Sequence, residues 1–207
     1  MARLIRRELV ITVITSVSIL VLVSVGFVAV RGFPHPRPVA SPSPDSHLVA
    51  LTSPLGLTVR HDPALVASNQ ATALTAAGTL WELRPPAGAT PFVITADYEQ
   101  GDSIKKLVAG SKKSPRDAMA DNLNRQLPQD YPGYKLVSKR NLSQAGSDGL
   151  ELQFTYTSEG QTVRQRLLLL LKNDSAAAYI RAQALTSDFD ALDTKYFEPI
   201  LTSARYQ

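Results

Sequence analysis

The sequence predicts an α+β domain built on an antiparallel β-sheet, tethered by one N-terminal transmembrane helix. Three features carry that expectation: an uncharged run of 22 residues from Leu9 to Val30, a Pro/Ser-rich segment behind it, and short period-two stretches mixed with amphipathic helical ones from Leu48 onward.

The apolar run comes first in the chain. Fifteen of its residues are Leu, Ile, Val or Phe, each favouring insertion by about 0.3 to 0.6 kcal/mol near the bilayer centre, against five Ser/Thr. At about 1.5 Å per residue it reaches roughly 33 Å, enough for a hydrocarbon core about 30 Å thick. A cleaved secretory signal shares the basic start but has a shorter core, about 7 to 15 residues, and ends on small residues. Phe27-Val28-Ala29 and Pro38-Val39-Ala40 do not supply that pair, so the expectation is a retained anchor over residues 9–31. A buried core helix is the weaker reading, because the run has no polar face. Arg3, Arg6 and Arg7 precede the span and only Arg31 and Arg37 follow closely. By the positive-inside rule residues 1–8 are then cytoplasmic, and everything after Arg31 lies outside, at a cell membrane.

Residues 32–46 hold Pro34, Pro36, Pro38, Pro42 and Pro44 with Ser41, Ser43 and Ser46 between them. Such a segment prefers polyproline II at about 3.1 Å per residue, which makes it a stalk of up to roughly 45 Å. The remaining residues, 47–207, suffice for one domain with its own core.

Charge and composition exclude several functions. The chain has net charge +4, but residues 1–46 hold five Lys/Arg against Glu8 and Asp45, which leaves the domain 17 basic and 16 acidic side chains. A nearly neutral domain gives no licence for nucleic-acid binding. Without cysteine there is no disulfide, no thiol catalysis and no Cys-ligated zinc.

Within the domain, Leu48 to Thr52 and Gly56 to Arg60 read as strands around a Ser53-Pro54 turn. Thr79 to Arg84 and Pro91 to Glu99 read as two more, joined by Pro85-Pro86-Ala87-Gly88. Between them, Ala64 to Ala77 is either a short helix capped by Asp62 with Pro63 first, or a loop leading into a strand. Ser103 is placed to cap a helix carrying Ile104, Leu107 and Val108. Ser114 caps the next, which begins at Pro115, has Asp117 in the capping-box position, shows Met119, Leu123 and Leu127 as one stripe, and ends at Pro128. Lys135 to Leu142 then joins the sheet. Leu150, Leu152, Phe154 and Tyr156 alternate with Glu151, Gln153, Thr155 and Thr157, followed by a turn at Ser158 to Gln161. Val163 to Leu171 and Ala177 to Leu185 continue the meander, and the unbroken Leu167 to Leu171 run marks a strand covered on both faces. A last helix from about Asp188 carries Phe189, Leu192, Tyr196, Phe197, Ile200 and Leu201, kinked or restarted by Pro199.

These residues carry a resemblance. Gly56-Leu57-Thr58-Val59-Arg60-His61-Asp62-Pro63 looks like the opening strand of PsbP-like domains, the family of the extrinsic oxygen-evolving subunit of photosystem II. Gly149-Leu150-Glu151-Leu152 through Gly160, Arg164, Tyr179 and Phe197-Glu198-Pro199-Ile200-Leu201-Thr202-Ser203 resembles its closing meander and final helix. Ala64-Leu65 stands where that family often has an aromatic. The resemblance spans nearly all of residues 48 to 207 and implies an antiparallel sheet with helices on both faces, an α/β/α sandwich shared with a Ran-binding nuclear-transport factor. Members share no single activity, so function does not transfer with the fold.

Candidate chemistry is sparse. His35 lies in the stalk, His47 at its end, and His61-Asp62 reads as a turn or edge pair. Ala145 to Gly149 lacks the spacing of a nucleophile elbow and reads as a loop. Asp188, Asp190 and Asp193 fit the first turn of a helix better than a calcium loop. Asp97, Glu99 and Asp102 read as a solvated strand end, though they are also the carboxylates a hydrolase would use. Lys105, Lys106, Lys112, Lys113 and Arg116 fall within twelve positions free of acids. They read as a solvated face or as a contact for an anionic ligand or partner. The leading expectation is a non-enzymatic, membrane-anchored binding or assembly module with no cofactor or metal. Its contacts are the bilayer, through residues 9–31, and an unknown protein or cell-surface partner. An extracytoplasmic hydrolase and a sensor of an anionic ligand are the alternatives.

Overall fold

The computed structural model describes residues 48–207, apart from 69, 70, 73 and 76. The anchor, the stalk, His35 and His47 lie outside the described residues. In chain order the elements are β1 (Val49–Thr52), β2 (Leu57–His61), β3 (Val66–Ser68), β4 (Ala77–Arg84), β5 (Phe92–Gln100), α1 (Asp102–Ala109), α2 (Pro115–Asp130), β6 (Lys135–Gln144), β7 (Ser147–Ser158), β8 (Gln161–Asn173), β9 (Ala176–Leu185), α3 (Thr186–Leu192), a π-helical turn (Asp193–Phe197), α4 (Glu198–Ser203) and β10 (Arg205–Tyr206).

Seven strands form an antiparallel sheet in the order β3-β4-β5-β9-β8-β7-β6, and β1-β2-β10 form a separate small sheet. Both faces of the large sheet are covered. On one, Leu168, Leu170, Ile94, Ile180 and Trp81 pack with Leu57 and Val59 of the small sheet and with Phe189, Phe197 and Ile200 of the C-terminal helices. On the other, Leu150, Leu152, Phe154, Leu167, Leu169 and Leu171 pack with Ile104 of α1 and Met119, Leu123 and Leu127 of α2. The leucine run of β8 thus supplies both cores by simple alternation, as its unbroken apolar character implies. Fully burying one such side chain contributes about 1.5 to 3 kcal/mol. Five of them amount to as much as a typical domain's whole net stability of about 5 to 15 kcal/mol.

Of the two readings after Asp62, the loop leading into a strand holds: the Asp62 carboxylate accepts from the Ala64 N–H at 2.8 Å, and the chain enters the short strand β3. Other local expectations change. The N-cap of α1 is Gly101 rather than Ser103. Its φ of 96° turns the chain straight from β5 into the helix, a conformation costly for a residue with a Cβ. Ser114 does cap α2, accepting from the Asp117 N–H at 3.2 Å. Pro128 does not end that helix, which runs on to Asp130. A proline in the last turn forfeits only its own bond, and Tyr131 N–H still reaches Leu127 O at 3.0 Å. Ala145 to Gly149 is no loop beyond the two residues Ala145 and Gly146, since β7 already begins at Ser147. Pro199 restarts the C-terminal helix, and the π turn before it absorbs the register change.

Candidate functional site

The stripe that packs α1 and α2 onto the sheet fixes which side chains face outward. Lys105, Lys106, Lys112 and Lys113 are exposed, on α1 and on the turn between the helices, and Arg116 is half-buried at the start of α2. Lys113 Nζ donates to Asp121 Oδ2 at 2.5 Å, and Arg116 lies 3.4 Å from Asp117 Oδ1 and 3.9 Å from Asp148 Oδ1. Exposed pairs of this kind contribute about 0 to 1 kcal/mol, so they restrain these cations little. Among the described residues, Lys105, Lys106 and Lys112 make no ion pair. The Ser114 hydroxyl holds the Asp117 carboxyl below the usual carboxylate range, and Lys113 does the same to Asp121, helped by Lys139 and Arg125. Lys139 belongs to β6, so the basic surface continues from the helices onto the edge of the sheet.

The carboxylates of the hydrolase alternative are not assembled for chemistry. Asp97 is 2% exposed, not solvated as its position at a strand end suggested. It accepts from Thr79 Oγ1 at 2.8 Å and from the Arg181 guanidinium. Glu99 accepts from the Tyr179 hydroxyl at 3.3 Å, and burial together with the Glu99 charge pushes that phenol well above its usual value. Asp102 stands apart, exposed in the first turn of α1. A cavity of about 530 Å³ opens beside Gln100, Gly101, Asp102, Lys172 and Ser175, but neither Asp97 nor Glu99 lines it.

The acidic group at the start of the last helix also has a different role from first-turn charge alone. Arg166 of β8, 7% exposed on its side chain, donates to Asp193 Oδ1 and to Glu151 Oε2, each at 3.0 Å, and pairs with Glu198. Arg164 meets Asp190 at 2.9 Å and stacks on Phe189. These arginines clamp the C-terminal helices to the sheet. Sequence reasoning passed over their pairing, because the partners lie 15 to 32 positions away. His61 is buried at the end of β2, with Nδ1 on its neighbour's carbonyl, Asp62 O, at 2.8 Å. No group of three His, Cys, Asp or Glu side chains suited to a metal occurs among the described residues. Trp81 is core, as its alternation with Leu83 predicts.

These elements define a class: a layered α+β domain whose ionisable interior is spent on structure and whose exposed flank is basic. Comparison with solved structures places that fold. The solution structure of cyanobacterial PsbP (CyanoP) from Synechocystis sp. PCC 6803 matches with a TM-score of 0.52, covering 83% of this chain and 100% of that chain at 10% identity. The fold is PsbP-like, and at that identity the likeness extends to the fold alone. LpqN, involved in cell envelope biogenesis of Mycobacterium tuberculosis, is similar over 76% of this chain and 89% of its own at 12% identity. Its TM-score of 0.48 adds nothing on topology. No protein-family model matches the sequence, and no curated protein matches it.

Proposed function

We propose that this chain is a membrane-anchored, non-enzymatic binding or assembly module. In this reading residues 9–31 hold it in the bilayer, residues 32–46 space it from the surface, and residues 47–207 meet a protein or cell-surface partner on the outer side. The anchor rests on the length and uniform apolarity of Leu9 to Val30. One observation carries the non-enzymatic part: Asp97 is closed off beneath Arg181 and Thr79, so the deepest carboxylate of the domain has no free face for a substrate.

The test is photo-crosslinking in intact membranes from probes at the exposed positions 102 and 109, which leave the lysines in place. Discrete protein adducts that disappear on K105E/K106E/K112E support the reading. Release of the chain from membranes by mild alkaline washing, or substrate turnover by the purified chain, overturns it.

A second reading, a surface sensor of an anionic ligand, is favoured by the exposed lysines Lys105, Lys106 and Lys112, which make no ion pair among the described residues, beside Lys113 and Arg116. For it, the same charge reversal abolishes binding of an anionic polymer, and unchanged affinity ends it.

A further inference from the structure

The large sheet ends very differently on its two sides. At one edge lies β3, only three residues long. At the other lies β6, ten residues long and, among the described residues, paired on one side only, with β7. Residues Lys135 to Asn141 are exposed without interruption, which at about 3.3 Å per residue is roughly 23 Å of open edge. Alternate residues along it turn their N–H and C=O away from β7, ready to pair with another strand.

Two further features give this edge a chemical preference. Leu136 and Val137 are 48% and 50% exposed, side by side at a β-bulge, so the edge offers apolar contact as well as backbone. Lys135, Lys139 and Arg140 supply positive charge, Arg140 while paired to Glu151 of β7 at 3.0 Å, and no acidic residue occurs between Asp130 and Asp148. By register, Leu136 and Lys139 share the face packed by α2, whereas Lys135, Ser138 and Arg140 share the other. A partner strand therefore meets cations on both faces. The same charges disfavour a second copy, because an antiparallel β6–β6 pair brings together two sets of lysines, Lys135 and Lys139, with no acid on either β6 strand, and like charges across strands destabilise.

We infer that β6 is a docking edge for an extended, acidic, β-branched segment of another protein, which adds as an eighth strand along Lys135 to Asn141. This rests on the binding-module reading and names its surface and partner chemistry. Backbone pairing supplies affinity, and the basic side chains select the sign of the partner.

The experiment uses the full chain in phosphatidylcholine nanodiscs, whose lipid carries no net charge, and a ten-residue peptide of alternating Glu and Val as probe. Amide hydrogen exchange is followed across the domain. The expected result is about tenfold slower exchange at alternate amides between Leu136 and Asn141, weakened by added salt and absent with a Lys-Val peptide. K135E/K139E removes the protection. So does V137P, placed in the bulge where a proline disturbs the existing ladder least, with unchanged exchange in β7 to β9 as the check on folding.

No protection at millimolar peptide, or equal protection by the Lys-Val peptide, overturns the inference. Protection confined to α1 and α2 overturns it too, while leaving the module reading in place with Lys105 to Arg116 as its surface. Hydrolysis of the peptide by the chain overturns the module reading itself.

Discussion

The Arg181 guanidinium on β9 grips the Asp97 carboxylate on β5 one diagonal step from its own register partner, Thr95. Both groups lie within the sheet sandwich, and each is the other's charge partner. Removing Asp97 strands a buried cation. Asp97→Ala is expected to cost about 3 to 5 kcal/mol in urea denaturation, and the double change Asp97→Ala with Arg181→Met to recover most of it. A double loss equal to the sum of the Asp97→Ala and Arg181→Met losses would mean that the pair contributes no coupling.

Alkaline pH probes the tyrosines beneath α2 and beside the small sheet. Burial raises the phenols of Tyr134, Tyr156, Tyr179 and Tyr206 above the ordinary 10.0, most of all Tyr179, where the Glu99 charge adds to it. The folded chain keeps these protons while the unfolded chain loses them. Stability is therefore complete below pH about 10 and falls as pH rises beyond it. Tyr179→Phe should flatten that fall, measured as the midpoint of urea unfolding against pH. A slope identical to that of the parent protein would remove Tyr179 from the account.

Gly149 sits where three strands meet, opposite Leu142 on β6 and Leu170 on β8. A Cβ there would lie 2.7 Å from Leu142 Cδ1 and 2.8 Å from Leu169 O. The side chain can move, but the ladder carbonyl cannot. Gly149→Ala is expected to destabilise by about 1 to 3 kcal/mol, read from thermal or urea unfolding.

Gln165 is fully buried, and among the described residues neither its amide nitrogen nor its oxygen has a hydrogen-bond partner. It carries a desolvation cost with nothing to offset it. Gln165→Leu removes both orphans at similar volume and should stabilise by about 1 to 3 kcal/mol. A loss of stability in the same measurement would show that the amide is satisfied in solution.

What the sequence made legible follows from the range of each interaction. The alternation of Leu150 to Tyr156, the turn at Glu159-Gly160 and the stripe of Met119, Leu123 and Leu127 are local periodicities, and each lies where it was expected. The Leu167 to Leu171 run foretold a doubly covered strand because no solvated strand can be apolar at every position. Strand β10 was illegible, since two residues carry no periodicity and Arg205–Tyr206 becomes a strand only by pairing with Thr58 and Leu57. The burial of Asp97 was hidden for the same reason. Its partner stands 84 positions away, and a lone carboxylate near Gly101 looks solvated until Arg181 is placed over it. At the basic segment, position was readable but pairing was not: Lys113 spends its charge on Asp121, whereas Lys105, Lys106 and Lys112 keep theirs.

The first strand of the domain, β1, is sewn to the body through four residue pairs with β2 and is mostly open to solvent. Tension applied at Leu48 falls first on that seam and on the packing of Leu51 against the core. If residues 1–47 tether the domain as proposed, a pull along them would meet this seam of four pairs before the seven-stranded sheet, so β1 would give first.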